Sequence, residues 1–428
     1  FAAISDLGLG PVTAREIAKD GSDEGKILGN VVALRLVSSA LLMTIAPLVV
    51  LFFDYPVEVK WGIIIVACAS FFSSLSLVMN GVFQKRIAMD RVAMFEFIGK
   101  LIQVSLIACI VKFNLGFFPI VLSVLVALAF NVTTVYLISR QFIRFSLRFD
   151  IAFWKAFLKE SLPMGATALI TFAYFKTDTI LLSLIQSSAD VGIYNVAYKI
   201  IENLVFFPAM LAGLILPLLA RYFVSDKQKF TEIADKTFKV FVVIVLPVVL
   251  GTIFLAQDIV RIISGPEFDM SASVLRILAL SLACIFFGHY FNMILIVGHA
   301  QKKLMQALLF VAVFNVSLNL FLVSRYSYFG AATAAVLTEL MVVVLTSMLA
   351  YRKLGFFPSF SGLSKVVFSA AVMGVTLYVL ADASFIIAGG VSVLVYLGCL
   401  WVTRAVSSSE VMSLFSKENE EAVEPPIV

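Results

Sequence analysis

Residues 161–203 read SLPMGATALITFAYFKTDTILLSLIQSSADVGIYNVAYKIIEN. This stretch predicts two apolar helices joined by a short polar turn, each long enough to cross a bilayer core of about 30 Å. It also carries four charged side chains, at Lys176, Asp178, Lys199 and Glu202. A charge at the centre of a membrane helix costs roughly 2.5–3.5 kcal/mol on insertion scales, so the four indicate ion pairing or the passage of a polar substrate.

The rest of the sequence has the composition of a helical membrane protein. Hydrophobic residues make up 61% of the 428 residues and charged residues only 14%. That leaves too little polar surface for a soluble chain of this length. Apolar runs of membrane-spanning length occur at about twelve places. They lie near 27–53, 60–83, 92–112, 116–138, 161–185, 192–220, 234–257, 270–298, 303–323, 329–350, 363–382 and 384–405.

Lysine and arginine are concentrated in alternate loops, which predicts the orientation of the chain. The opposite loops hold only Lys60, Lys112, Arg261 and Arg325. Because cytoplasmic loops carry the excess of positive charge, the basic set is predicted to be cytoplasmic. This set comprises the loops at 84–91, 139–160, 221–236, 299–304 and 351–363 and the C-terminus. The net charge of +5 is thus mainly a topology signal.

An internal repeat relates the two halves of the sequence. An offset of about 206 residues aligns LGLGPVTAREIAKD from Leu7 with GLILPLLARYFVSD from Gly213. The same offset aligns the apolar runs that start near 27, 60, 92 and 116 with those that start near 234, 270, 303 and 329. Residues 161–206 then have no counterpart in the first half, so two further helices are expected to precede Phe1.

The predicted fold is an all-α polytopic membrane protein with about twelve transmembrane helices present and fourteen in the full-length protein. They form two pseudo-symmetric six-helix lobes, with a central cavity between them, and a C-terminal helix pair. The predicted divisions are an N-terminal lobe truncated at its start (1–138), a cytoplasmic amphipathic linker (139–160), a C-terminal lobe (161–351), an extra helix pair (363–405) and a disordered acidic cytoplasmic tail (406–428).

The four charges of the quoted stretch can be matched by depth. Lys176 and Asp178 are two residues apart and point to nearly opposite sides of a helix. Counted from the turn, Lys176 lies level with Glu202 and Asp178 with Lys199, so two cross-pairs are predicted; Lys199 and Glu202 are also spaced to pair along their own helix. A structural double salt bridge and a charged cavity wall are both consistent with this arrangement.

Other charges lie within the predicted spans. Glu96 and Lys100 are four apart and are predicted to pair along one helix. Arg35 has no such partner and is predicted either to contact an anionic substrate group or to form an interhelical pair. Glu339 is either a coupling carboxylate or the partner of a cation elsewhere. The spans also contain asparagines typical of interhelical hydrogen bonds, namely Asn80, Asn131, Asn292, Asn315 and Asn319.

Motifs of enzymes and cofactor sites are not found in the sequence. It lacks a P-loop, HExxH, GxSxG and any Cys/His cluster, so no catalytic residue, cofactor or metal site is predicted. The four cysteines lie in apolar runs without CxxC spacing.

Several segments resemble polysaccharide flippases of the multidrug/oligosaccharidyl-lipid/polysaccharide exporter superfamily, in its O-antigen or capsule repeat-unit branch. They are SDLGLGPVTAREIAKD (5–20), SLPMGATALITFAYFKTDTILLSL (161–184), VGIYNVAYKIIENLVFFPAM (191–210) and SGPEFDMSASVLRILALS (264–281). The resemblance implies translocation of an undecaprenyl-diphosphate-linked oligosaccharide from the inner to the outer leaflet of the bacterial inner membrane by alternating access.

The resemblance also implies roles for the intramembrane charges. The implied cavity cations for the diphosphate are Arg35, Lys100, Lys176 and Lys199, and the implied carriers of coupling to H⁺ or Na⁺ are Asp178, Glu202 and Glu339. The implied partners are the lipid-linked oligosaccharide, membrane lipid, a coupling ion and a polysaccharide polymerase; no nucleic acid is expected.

Three alternatives remain open from the sequence. A lipid II flippase would differ only in its substrate. A multidrug antiporter of the same fold would favour a cavity dominated by carboxylates. A membrane polymerase or ligase would need a large outer loop, whereas the longest predicted outer loop is the short segment near 258–269.

Overall fold

The computed structural model describes residues 9–18, 23–52, 55–86, 89–143 and 145–405, and these residues are largely helical. The helices are α1 (Leu9–Ala18), α2 (Glu24–Leu51), α3 (Val57–Lys85), α4 (Met89–Lys112), α5 (Phe117–Phe142), α6 (Ile151–Ile185), α7 (Ser188–Leu204), α8 (Phe206–Ser225), α9 (Lys227–Phe254), α10 (Ala256–Ser264), α11 (Asp269–Val297), α12 (Gln301–Leu354), α13 (Leu363–Val379) and α14 (Phe385–Val402).

Each predicted apolar run falls on one or two of these helices. By length and composition, nine helical segments within the described ranges could cross a membrane, which confirms a polytopic membrane protein. The two runs predicted near 303–323 and 329–350 both lie in α12, which is interrupted at Ser327 by non-helical backbone angles of φ 48° and ψ −131°. The predicted tail over 406–428 lies outside the described residues.

The chain divides into two compact units, with the boundary between Phe172 and Ala173. In unit 1 (residues 1–172) the apolar core is built by α1, α2, α3 and α5 together with Val92 of α4 and the start of α6. The residues of the predicted linker, 139–160, do not form a helix of their own. Instead α5 ends at Phe142, and the chain re-enters a helix at Ile151 that continues without interruption to Ile185. Two aromatic side chains of this segment, Phe153 and Trp154, pack against the unit 1 core.

The segment between α5 and α6 is fastened to α2 at Gly29 and Asn30. The backbone N–H of Arg148 donates to the carbonyl of Gly29 (3.3 Å). The side-chain oxygen of Asn30 accepts a hydrogen bond from the backbone N–H of Asp150 (3.0 Å). The backbone carbonyl of Asn30 accepts a second one from Nε1 of Trp154 (3.0 Å). A Cβ atom on Gly29 would clash with the backbone carbonyl of Ser146. Only glycine therefore permits this close approach.

Replacing Gly29 by alanine is expected to lower the free energy of unfolding by about 1–3 kcal/mol, because the added methyl group overpacks a backbone contact. The measurement is the thermal melting temperature of the detergent-solubilised protein. The matched control is Gly213→Ala in α8, where a Cβ atom would meet open space. Equal melting temperatures for the two variants would contradict the prediction.

Unit 2 (residues 173–428, described to Ala405) contains two local breaks in predicted spans. The run predicted at 192–220 is divided at Val205 into α7 and α8. Pro208 lies in the first turn of α8 and has no N–H to donate to the preceding helix, which explains the break.

After α9, the short helix α10 is held to α11 by a bidentate ion pair. Arg261 donates from Nε and Nη2 to the two carboxylate oxygens of Asp269, at 2.8 and 2.7 Å.

Helix α10 accounts for the form of the internal repeat. The first repeated pair, α2 and α9, begins at Glu24 and Lys227, which are 203 residues apart. The second pair, α3 and α11, begins at Val57 and Asp269, which are 212 residues apart. The difference equals the nine residues of α10. The single predicted offset of about 206 residues is thus an average over an insertion in the second half.

Candidate functional site

Two lysines and one glutamate meet on the facing sides of α6 and α7. Nζ of Lys176 lies 2.7 Å from Oε1 of Glu202, which confirms the cross-pair predicted by depth. Nζ of Lys199 lies 2.8 Å from the other carboxylate oxygen of Glu202. Lys176 also lies over the ring of Tyr198, with Nζ 4.8 Å from the ring centroid. We call Lys176, Tyr198, Lys199 and Glu202 the lysine cluster.

The lysine cluster is accessible and carries one net positive charge. The side chain of Lys199 is 70% exposed, and those of Lys176 and Glu202 are 30% and 35% exposed. Lys176 lies nine residues before the end of α6 at Ile185, or about 14 Å along the helix axis. Cations at this depth are costly unless they face water or an anion. The cluster can therefore attract a negatively charged group within the membrane.

The second predicted cross-pair, between Asp178 and Lys199, is wrong. Lys199 pairs with Glu202, three residues further along α7. Asp178 is 95% buried and faces amide and phenol side chains instead of an ammonium group. The spacing of two residues on α6 explains the separation, because it directs Lys176 and Asp178 to different sides of the helix.

Asp178 accepts hydrogen bonds from three side chains of α7 and α12. The donors are the Tyr194 hydroxyl at 3.1 Å, Nδ2 of Asn319 at 2.6 Å and Nδ2 of Asn315 at 3.3 Å. Nδ2 of Asn315 also donates to Oγ1 of Thr338 at 3.2 Å. We call these five residues the aspartate cluster.

The aspartate cluster contains oxygen atoms with unused acceptor capacity. Oδ1 of Asn315 and Oδ1 of Asn319 are buried and accept no hydrogen bond from any described residue. A buried amide oxygen without a donor is unfavourable, so such groups call for a physical explanation. Amide, carboxylate and hydroxyl oxygens are the ligands preferred by hard cations. The residue set therefore fits a small cation.

The sequence did not connect Asn315 and Asn319 with Asp178. Their spacing of four places both amides on one face of α12, which is the signal that could have joined them into one site. Their distance from Asp178 along the chain, more than 130 residues, gave no sign of the contact. Tyr194 and Thr338 were not singled out at all.

Arg35 lies inside unit 1. Its side chain is 1% exposed, and Nε donates to the carbonyl of Ser74 on α3 at 3.3 Å. The Ser39 and Ser74 hydroxyls share a hydrogen bond of 3.1 Å beside it. This position favours the predicted interhelical role over contact with a substrate group.

The remaining predicted residues lie in separate places. In unit 1, Nζ of Lys100 donates to Oε1 of Gln103 at 3.3 Å. Lys100 and Glu96 are both among the described residues but form no ion pair with each other, contrary to the prediction. Both side chains line a cavity in unit 1. In unit 2, Glu339 is 92% buried on α12 and adjoins Thr338 in sequence.

Relatives with curated descriptions match part of the chain. "Probable low-salt glycan biosynthesis flippase Agl15" of Haloferax volcanii is 24% identical over 179 residues, covering 41% of this chain and 37% of the relative. "Probable flippase AglR" of the same organism is 24% identical over 215 residues, covering 49% and 45%. The matched stretches thus span less than half the length of either relative.

Solved structures share the fold over most of the chain. A lipid II flippase, MurJ, in an inward closed conformation superposes with a TM-score of 0.74 at 17% identity, covering 94% of this chain and 92% of that one. An inward-facing multidrug resistance transporter of the MATE family, of the MOP superfamily, gives a TM-score of 0.64 at 16% identity, with coverage of 83% and 88%. At these identities the likeness establishes the fold.

A sequence-family model described as "Polysaccharide biosynthesis protein" matches residues 2–273, which is more than half of the 428 residues. The four charges quoted at the outset, and the lysine cluster that three of them form, lie within this match. The chain therefore belongs to the polysaccharide biosynthesis protein family, and it shares its fold with the MurJ and MATE transporter structures.

Proposed function

We propose that the protein is a flippase for a lipid-linked glycan. The substrate is an undecaprenyl-diphosphate-linked oligosaccharide, the repeat unit of an O-antigen, capsule or exopolysaccharide. It moves from the inner to the outer leaflet of the bacterial inner membrane by alternating access, with the basic loops in the cytoplasm. The observation that carries this proposal is the lysine cluster, an accessible group of net positive charge at membrane depth.

The lysine cluster suits a diphosphate because of its spare donors. An ammonium group has three N–H donors. Lys176 and Lys199 each use one on Glu202, so both retain donors for phosphate oxygens. Charge-assisted hydrogen bonds of this kind are roughly twice as strong as neutral ones. Glu202 would hold the two lysines in position before the substrate arrives.

The aspartate cluster is the proposed site of the coupling ion. Of the three predicted candidates, Asp178 is the one whose two amide neighbours carry oxygens with unused acceptor capacity. Na⁺ would take the Asp178 carboxylate and the Thr338 hydroxyl as ligands, together with the oxygens of Asn315 and Asn319 once these amides turn their oxygens toward it, and H⁺ would take the carboxylate alone. A coupling role for Glu202 or Glu339 and a polysaccharide polymerase as partner remain predictions.

A lipid II flippase is the second candidate. The MurJ structure matches nearly the whole chain, and lipid II presents the same diphosphate to the lysine cluster. A multidrug antiporter is less consistent with the site, because a net positive cluster repels cationic drugs. The flippase relatives and the fold both favour a transporter over a polymerase or ligase.

The test uses the purified full chain in proteoliposomes with three fluorescent substrates: an undecaprenyl-diphosphate trisaccharide, lipid II and ethidium. We expect the protein to accelerate exchange of the trisaccharide carrier between leaflets, measured by quenching of the outer leaflet with dithionite. Faster exchange of lipid II than of the trisaccharide carrier would support the second candidate and overturn the first. Movement of ethidium alone, or of none of the three, would overturn both.

A further inference from the structure

Unit 1 contains a polar cavity of about 480 Å³ between α3, α4 and α5. Its polar lining consists of Ser73, Ser76, Asn80, Glu96, Lys100, Gln103 and Asn131. The aromatic ring of Phe97 also lines it. This volume is within the range of small-molecule binding sites in proteins.

The spacing of the polar residues shows that α3 and α4 each turn a polar face to the cavity. Ser76 and Asn80 are four apart on α3, and Glu96, Lys100 and Gln103 follow one another at intervals of four and three on α4. Residues at these intervals share a helix face. Lys100 lies eleven residues from the start of α4 at Met89, about 16 Å along the axis and therefore within the membrane. A polar face at this depth is unfavourable unless it meets a polar partner.

Two amide atoms in the cavity, one on Asn80 and one on Asn131, lack partners among the described residues. Asn131 is 93% buried, and its Oδ1 accepts from the hydroxyl of Ser76 at 3.1 Å. Its Nδ2 donates to no described residue, and Oδ1 of Asn80 accepts from none. The cavity thus offers a buried free donor and a buried free acceptor. Both indicate a ligand that can accept and donate hydrogen bonds.

We infer that this cavity binds the sugar portion of the substrate, an inference that rests on the proposed flippase function. A sugar hydroxyl both donates and accepts, which matches the amides of Asn80, Gln103 and Asn131. One carboxylate and one ammonium group balance the charge of the lining, as suits an uncharged ligand. Phe97 is 65% exposed and offers a flat ring on which the C–H face of a sugar can rest.

The lysine cluster and this cavity suit different chemical groups. The lysine cluster binds the diphosphate, whose charge is common to all such carriers. The polar cavity binds the glycan, whose length and hydroxyl pattern differ between carriers. Specificity for the repeat unit is therefore assigned to unit 1.

The test measures binding of a free, neutral trisaccharide, without lipid or phosphate, to the detergent-solubilised full chain. Saturation-transfer difference NMR detects weak binding of this kind. We expect a saturation-transfer signal with the wild-type protein. In Asn131→Leu and in Phe97→Leu this signal should fall about three- to tenfold. The matched control is Ser105→Ala on α4, whose hydroxyl bonds only within its own helix and does not line the cavity.

Exchange of carriers in proteoliposomes separates this inference from the proposed function. We expect Phe97→Leu and Asn131→Leu to slow exchange of the trisaccharide carrier more than exchange of a carrier with one sugar. Equal slowing of both carriers, with the trisaccharide NMR signal unchanged, would assign the cavity to helix packing and overturn the inference while the flippase function stands. Binding of the free trisaccharide without exchange of any carrier would overturn the proposed function alone.

Discussion

Replacing Asp178 by asparagine is expected to abolish the acceleration of transport by an ion gradient, while the protein remains folded. The substitution keeps the shape of the side chain and removes its charge. The oxygen of the introduced amide can still accept from the Tyr194 hydroxyl. Its new N–H donors can be accepted by the side-chain oxygen of Asn315 or Asn319 once that amide turns its oxygen toward position 178, since neither oxygen accepts a hydrogen bond from the described residues of the native protein. The folded state therefore loses little, whereas the ion loses its only charged ligand in the aspartate cluster.

The expected fall in the gradient-driven rate is about ten- to hundredfold, the size associated with loss of an interaction to a charged group. The measurement is carrier exchange in proteoliposomes with an imposed Na⁺ gradient or an imposed pH gradient, which also identifies the ion. Tyr194→Phe removes one hydrogen bond but keeps the carboxylate, so its rate should fall by less than about tenfold.

Thr346→Val is the control for disturbing a buried polar residue of α12, because the Thr346 hydroxyl bonds only within its own helix. Its driven rate should equal that of the wild-type protein. Persistence of gradient-driven exchange in Asp178→Asn would place the coupling ion elsewhere, with Glu339 as the next candidate.

Replacing Lys176 by methionine is expected to slow exchange of diphosphate-linked carriers at least about tenfold with little loss of stability. Methionine retains an unbranched stem that can pack on Tyr198. Glu202 keeps its second partner, Lys199, so no carboxylate is left without a cation. Removing one ion pair of a partly exposed group changes stability by about 1 kcal/mol or less. A large effect on transport with a small effect on melting would assign Lys176 to the substrate.

Lys199→Met is the matched comparison within the lysine cluster. Lys199 is 70% exposed against 30% for Lys176, so it is the more strongly hydrated of the two, and its contact with a phosphate is expected to be weaker. We expect a fall of about two- to fivefold in the rate of exchange. Equal melting temperatures and equal transport for the wild-type protein and both variants would show that the lysine cluster does not take part in transport.

The lysine cluster could be predicted in part from the sequence, because it depends on local geometry. Counting residues from the turn between α6 and α7 placed Lys176 level with Glu202, and the structure joins them. The same count failed for Asp178. The depth of a residue within a hairpin does not show which side of its helix faces a third helix. Here that third helix is α12, and its amides, Asn315 and Asn319, contact Asp178 in place of the expected Lys199.

The segment after α5 shows a second limit of sequence reasoning. A mixture of aromatic and basic residues is typical of an interfacial helix. In the structure Trp154 donates to a backbone carbonyl of α2, and Phe157 is buried in the unit 1 core. Composition does not distinguish aromatic side chains that contact lipid from those that contact protein. The contact depends on Gly29, whose lack of a side chain has meaning only once its neighbour is known.

The spacing of Lys176 and Asp178 has a thermodynamic consequence. The proposed head-group site and the proposed ion site share one turn of α6 but face different neighbours, so a shift of that turn alters both at once. Their occupancies are then linked, and linkage is reciprocal: the factor by which the ion strengthens binding of the diphosphate is the factor by which the diphosphate strengthens binding of the ion. The energy stored in a gradient can reach the glycolipid through two residues of a single helix.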